Sequence, residues 1–93
     1  MLVHIVMWRL NDPADAPELK RRLDSLNGRV PSLRKLEVGI NVVTADTASD
    51  VVLYSEFDDL AGLKAYAEHP DHLVVVDYVK SVARERRAVD YQR

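Results

Sequence analysis

The sequence contains no cysteine among its 93 residues. Disulfide bonds and thiolate metal sites are therefore excluded as sources of stability. A single domain of this length buries only about 60–65% of the surface that its unfolded chain exposes, so its margin of stability is small. Because residues 1–93 make one domain with no room for a second core, association with another chain is the aid that remains.

An excess of one charge is also lacking, as are long apolar runs. The formal net charge is −2, and the cluster of arginines between residues 84 and 93 is interrupted by carboxylates. That pattern is typical of a solvated surface rather than a nucleic-acid interface. No stretch approaches the ~20 apolar residues of a membrane span, and the apolar segment 1–10 has neither the basic start nor the cleavage site of a signal peptide. We expect a cytoplasmic protein with no nucleic-acid or membrane partner.

Glycine is scarce, and its three copies stand far apart at positions 28, 39 and 62. A glycine-rich phosphate loop is therefore absent, and the order of serine, histidine and aspartate matches no nucleophilic triad. The sequence predicts no cofactor.

Four segments have the pattern of β-strands. Residues 2–10 are apolar at nearly every position, which is typical of a strand covered on both faces. Residues 34–43 alternate between apolar and polar side chains, as in a strand with one wet face. Residues 51–57 begin apolar on both faces, and residues 86–91 form a short closing strand. The sequence therefore predicts two central strands and two edge strands.

Helical periodicity occurs in two regions. Asp12 can cap the first helix, an apolar stripe at spacings of three and four follows it, and Gly28 can end it. An aspartate pair at 58–59 can cap the second helix, which His69-Pro70 interrupts. Residues 72–83 combine a helical stripe with three consecutive valines, which favour a strand by propensity. The length and the stripe favour a helix there.

The element order is therefore β-α-β-β-α-β, an α+β arrangement. Right-handed crossovers make it a split βαβ sheet with strand order 4-1-3-2 and helices on one face. The other face still carries apolar side chains of the first strand, which are either Val3, Ile5 and Met7 or Leu2, Val6 and Trp8. A soluble monomer rarely exposes such a patch. We expect a homodimer formed through this sheet face, with on the order of 5–10 kcal/mol from the buried side chains before association costs.

Several segments together resemble one known family. They are His4-Ile5-Val6, Pro31-Ser32-Leu33, Glu37-Val38-Gly39-Ile40-Asn41, Asp50 with Tyr54 and Phe57, Leu63 with Tyr66 and His69-Pro70-Asp71-His72, and Val89-Asp90-Tyr91. From residue 2 to residue 91 the chain is similar to the stress-responsive dimeric α/β-barrel, or Dabb, domain. The resemblance implies a ferredoxin-like protomer, a homodimer whose two sheets form a barrel, and a cavity between sheet and helices. A plant polyketide cyclase and related cofactor-free monooxygenases and isomerases share this architecture, so the fold does not settle the reaction.

The resemblance also implies site residues. His72 and Tyr66 match the acid–base histidine and tyrosine of the cyclase, and His4 matches its N-terminal histidine. Histidine titrates near neutral pH, which suits a general base that needs no cofactor. The cyclase has a second tyrosine where this chain has Leu23, so the same cyclisation is not implied. His69 precedes a proline at a helix end, and we expect it to be structural.

Two functions from different classes remain open. In the first, the cavity binds a small aromatic or polyketide-like ligand and catalyses cyclisation, isomerisation or oxygenation by proton transfer. In the second, the protein is a non-catalytic stress-protective or ligand-binding module whose dimer is the functional unit. A metal site from His69 and His72 with Asp71 or Asp77 is disfavoured, because the proline disturbs the helical spacing and no second cluster completes the ligand set.

Overall fold

The computed structural model describes residues 1–93. Its strands and helices are, in chain order, β1 (Leu2–Leu10), α1 (Ala16–Asp24), β2 (Lys35–Ile40), β3 (Val51–Phe57), α2 (Leu60–Glu68), α3 (Pro70–Val82) and β4 (Ala83–Gln92). One turn of 3-10 helix, Pro13–Asp15, precedes α1. None of the helices has the length and apolar character that crossing a membrane requires.

The four strands form one antiparallel sheet in the order β2-β3-β1-β4. This is the predicted order 4-1-3-2 read from the other edge, so the ferredoxin-like α+β fold is confirmed. The two strands with near-continuous apolar sequence, β1 and β3, are the central pair, as predicted. The agreement follows from burial, because a central strand under helices needs apolar side chains and an edge strand needs fewer.

Alternation along β1 decides which of its two apolar sets faces the helices. Leu2, Val6 and Trp8 are buried in the core on the helix side. Ile5 and Met7 lie on the helix-free face, where Met7 remains 41% exposed. Val3 shares that face but is already fully buried in the single chain, beside its register neighbours Glu56 and Tyr91. Only part of the predicted patch is therefore open.

The first helix ends earlier than the sequence predicted. α1 stops at Asp24 rather than near Gly28, because the Ser25 hydroxyl donates to the carbonyl of Arg22 at 2.6 Å and the chain continues in turns. Gly28 has φ of 84°, so it serves a later turn rather than the helix end. Leu26, whose place in the apolar stripe predicted burial on a helix, is buried from these turns instead.

Two strand boundaries also differ from prediction. β2 covers 35–40 rather than 34–43, because the Asn41 side chain donates to the carbonyl of Val43 at 2.8 Å and turns the chain away from the sheet. β4 covers 83–92 rather than 86–91, since it pairs with β1 along almost its whole length. The segment after the helix break is helical, as predicted.

Candidate functional site

A cavity of about 450 Å3 lies between the sheet and the helices. Its wall is mostly apolar, and it is lined by His4, Val6, Trp8, Leu23, Leu53, Leu63, Tyr66, Ala67, His72, Val75, Val76, Val79, Lys80 and Arg86. Small-molecule sites commonly measure about 300–1,000 Å3 and combine an apolar wall with a few polar groups. The structure therefore brings His4, Tyr66 and His72 together on one cavity of suitable size.

The break between α2 and α3 positions His72. In a continuous helix the amide of Asp71 would donate to the carbonyl of Ala67. Here that amide donates to Nδ1 of His69 at 3.1 Å, and Pro70 has no N–H to offer. The Ala67 carbonyl is left free of its helical donor, and it lies 3.0 Å from Nδ1 of His72. The helix break thus supplies the group that orients the imidazole.

This contact determines which nitrogen of His72 is basic. A carbonyl oxygen only accepts hydrogen bonds, so Nδ1 carries the hydrogen and Nε2 keeps a lone pair. Burial lowers the pKa of His72, the bond to Ala67 raises it in part, and the nearby His4 and Arg86 lower it further. The imidazole is therefore neutral at pH 7 and has a free basic nitrogen.

Tyr66 is the most buried polar group of the cavity. Its side chain is 1% exposed, and its ring packs between Phe57, at a centroid distance of 5.2 Å, and His72, at 4.3 Å. The hydroxyl is buried and has no hydrogen-bond partner within the chain. Burial raises the pKa of Tyr66 to about 12. The hydroxyl therefore stays protonated and keeps a hydrogen that no group of the chain accepts.

His4 forms a pair with Asp90. The two residues are register partners across β1 and β4, and Nδ1 of His4 contacts a carboxylate oxygen of Asp90. Because a carboxylate accepts, Nδ1 donates and Nε2 of His4 is free. The sequence had marked Asp90 only as part of the family resemblance. An antiparallel alignment of the first and last strands would have put it opposite His4.

His69 has the structural role that was expected of it. It is the N-cap of α3 and accepts from the amide of Asp71, rather than bonding a backbone carbonyl. Its ring does not line the cavity. No three histidine, aspartate or glutamate side chains are grouped so as to hold a metal ion. The alternative metal set of His69 and His72 with Asp71 or Asp77 is therefore not assembled.

Three further lining residues were not predicted to belong to the site. Trp8 was predicted only as an apolar side chain of the first strand, and Arg86 as part of a solvated cluster, yet the two are register partners and both line the cavity. Lys80 lines it from α3. The missing signal was again the register of β4 on β1, which the sequence pattern alone did not specify.

Two curated relatives match almost all of the chain. They are stress-response A/B barrel domain-containing proteins of Arabidopsis thaliana, one 33% identical over 95% of this chain and one 28% identical over 98% of it. The chain spans 45% and 36% of the lengths of these two proteins, respectively. Both relatives are therefore considerably longer than the sequence described here.

Among solved structures, the chain is similar to a dimeric protein of ferredoxin-like fold from Bacteroides fragilis. The two share 30% sequence identity with a TM-score of 0.87, and the match covers 99% of this chain and 95% of that one. The family model for the stress responsive A/B barrel domain matches residues 2–93. The chain therefore belongs to the stress responsive A/B barrel domain (Dabb) family.

Proposed function

We propose that this protein is a cytoplasmic homodimer that binds a small aromatic or polyketide-like molecule in the cavity of each protomer and catalyses proton transfer on it. The observation that carries the proposal is the pair of Tyr66 and His72. Their rings are in contact, both residues line the cavity, and each has a hydrogen-bonding atom that the chain itself leaves unused. Buried polar groups without partners are rare in folded proteins, and a functional role is one of the few explanations for keeping one.

The proposed chemistry needs no cofactor. Nε2 of His72 removes a proton from a carbon next to a ligand carbonyl, and the electron pair of the C–H bond moves to the carbonyl oxygen as an enolate. The hydroxyl of Tyr66 donates a hydrogen bond to that oxygen, where the negative charge develops. His4, held by Asp90, is a second imidazole that can return a proton to another atom of the ligand.

Dimer formation is supported by the helix-free face of the sheet. Its apolar side chains, which are at least partly exposed in the single chain, are Ile5, Met7, Val52, Val89 and Tyr91. Complete burial of such a side chain contributes about 1.5–3 kcal/mol, so covering these partly buried ones would contribute about 5 kcal/mol before association costs. The Bacteroides protein, which is described as dimeric, has the same fold. Packing of two such faces across a two-fold axis is the expected arrangement.

The catalytic part of the proposal can be tested in two steps. A thermal-shift screen of phenolics, quinones and polyketides identifies ligands, and NMR in D2O then follows exchange of their hydrogens next to a carbonyl. We expect His72→Gln to slow this exchange about 100-fold or more, the usual contribution of a general base. Lys64→Gln is the control, because it changes an exposed residue of α2 that does not line the cavity.

The outcomes separate the two functional classes. Equal exchange rates in His72→Gln and the wild type would refute the assigned base. Binding without any exchange would instead favour the non-catalytic module. No thermal shift with any compound would refute the ligand site itself.

The dimer is tested by equilibrium sedimentation at micromolar concentration. We expect twice the 10.6 kDa of one chain. Val89→Glu should give monomers, because the carboxylate would be buried without a partner on the helix-free face. Val74→Glu, at an even more exposed valine on α3, should remain dimeric. A wild-type protein that sediments only as a monomer would contradict the proposed assembly.

A further inference from the structure

The polar groups of the cavity are unbalanced in charge. No aspartate or glutamate is among the 14 lining residues, whereas Lys80 and Arg86 both line the cavity. The chain as a whole carries a net charge of −2, so this local excess of positive charge runs against its overall composition. A cavity lined in this way favours a negatively charged ligand over a neutral or positive one.

Neither cation is neutralised within the chain. Lys80 and Arg86 take part in none of its ion pairs. The nearest carboxylate in sequence, Glu85, lies instead with Arg87, at 3.5 Å, and Arg9, at 4.0 Å. Because neighbouring strand residues point to opposite faces, Glu85 and Arg86 lie on different sides of the sheet. The two cations of the cavity are therefore free to bind an anion.

The indole of Trp8, which lines the cavity together with these two cations, is a buried hydrogen-bond donor without an acceptor. Trp8 is 4% exposed, and its indole Nε1–H has no hydrogen-bond partner in the chain. An indole can only donate, so this donor is unpaired in the chain on its own. Trp8, Lys80 and Arg86 also line an adjoining cleft of about 280 Å3, together with Arg84 and Glu85, and Glu85 is paired there with Arg9 and Arg87. These three residues therefore mark the end of the cavity at which a second opening begins.

We propose that the ligand is an amphipathic organic anion, with an apolar body in the cavity and an oxyanion group bound by Lys80, Arg86 and the indole N–H of Trp8. This inference rests on the proposed function and narrows its ligand class. In this orientation the charged group lies at the Trp8 end, and the body of the ligand reaches Tyr66 and His72. The oxyanion satisfies the indole donor and both cations at once, which a neutral phenol cannot do.

The test uses two fluorescent probes with the same aromatic skeleton. 8-Anilinonaphthalene-1-sulfonate carries a negative charge, and N-phenyl-1-naphthylamine is its uncharged counterpart. We expect the wild type to bind both, and the double variant Lys80→Gln/Arg86→Gln to weaken only the sulfonate, about five- to twentyfold. The control variant Arg29→Gln/Lys64→Gln removes the same charge from exposed positions outside the cavity lining and should leave both affinities unchanged.

A second variant tests the indole donor without changing the charge. Trp8→Phe keeps an aromatic ring but removes the N–H, and we expect it to weaken the sulfonate about threefold or more and to leave the amine unaffected. Circular dichroism of each variant verifies that it is folded.

The failure of this inference is distinguishable from the failure of the proposed function. Binding of both probes, with the cavity variant no different from the control, would overturn the anion preference and leave the cavity as a ligand site. Binding of neither probe to the wild type would overturn both. Salt provides a further criterion, because the affinity for the sulfonate should fall between low and physiological ionic strength and that for the amine should not.

Discussion

Removing the hydroxyl of Tyr66 should stabilise the unliganded protein while impairing its function. Tyr66→Phe keeps the ring and its contacts with Phe57 and His72. It deletes a buried oxygen that has no hydrogen-bond partner in the chain. A tyrosine kept only for packing would lose nothing in function, whereas a binding group is retained in spite of its cost in stability.

The magnitude follows from burial. A buried polar group without a partner destabilises by about 1–3 kcal/mol, and solvent entering the cavity would offset part of this. We therefore expect Tyr66→Phe to raise the free energy of unfolding by about 0.5–1 kcal/mol, or the melting temperature by about 2–8 °C in a domain of this size.

Alkaline pH should widen the difference in stability between Tyr66→Phe and the wild type. Burial raises the pKa of Tyr66 from its ordinary value of 10.0 to about 12 in the folded chain. As the pH rises above 10, the unfolded chain releases this proton first, so the wild type loses stability towards pH 12. Between pH 10 and pH 11 this loss amounts to at most about 1.4 kcal/mol relative to Tyr66→Phe, which has no such proton.

Urea denaturation at one fixed protein concentration measures these differences. Tyr54→Phe is the control, since its hydroxyl donates to Glu56 at 2.6 Å and contacts Arg93. We expect this control to lose stability, because the substitution removes a hydrogen bond that the hydroxyl makes in the folded chain. A loss of stability in Tyr66→Phe as large as that of the control would mean that the Tyr66 hydroxyl has a partner, and the reasoning about the site would be wrong.

Three further changes test single features of the chain. The imidazole of His72 should titrate below pH 6.5 in an NMR experiment, because burial lowers its pKa, and a titration midpoint above 6.5 would contradict this. The protein should also lose stability as the pH falls from 6.5, since the unfolded chain takes up the proton first. His69→Ala should lose about 1 kcal/mol in urea denaturation through the missing N-cap, and an unchanged midpoint would show that the cap is dispensable. Gly28→Ala should lose about 1 kcal/mol of folding stability. The loss would come from backbone strain at φ 84° alone, since the added Cβ meets no atom within 4 Å. A variant more stable than the wild type would refute that backbone conformation.

The fold was predictable because several local patterns pointed to the same arrangement. Apolar runs in β1 and β3 indicated central strands, and Asp59 indeed caps α2 by accepting from the amide of Gly62. The end of α1 was not predictable from its apolar stripe, since Leu26 is buried from a turn as well as it would be from a helix. Periodicity reports which residues are buried, and only the local hydrogen bonds decide where a helix stops.

The site was predictable only in part. The family resemblance marked His4, Tyr66 and His72, and all three line one cavity. Asp90 and Arg86 lie far from the other site residues in sequence, and they reach the site through the pairing of β4 with β1. A sequence pattern can indicate that two strands are neighbours in a sheet. It is less able to indicate their register, which decides which residues lie opposite each other. The sequence analysis therefore missed the residues whose place in the site depends on the register of β4 on β1.

The break between α2 and α3 has a consequence for any attempt to redesign this protein. The partner that selects the tautomer of His72 is a main-chain oxygen, that of Ala67, and it is free because His69 and Pro70 break the helix rather than because of any side chain that lines the cavity. A graft that copied every lining residue onto an uninterrupted helix would return the Ala67 oxygen to the amide of residue 71. The imidazole would then be free to carry its hydrogen on either nitrogen, and an identical set of side chains would no longer hold the same base.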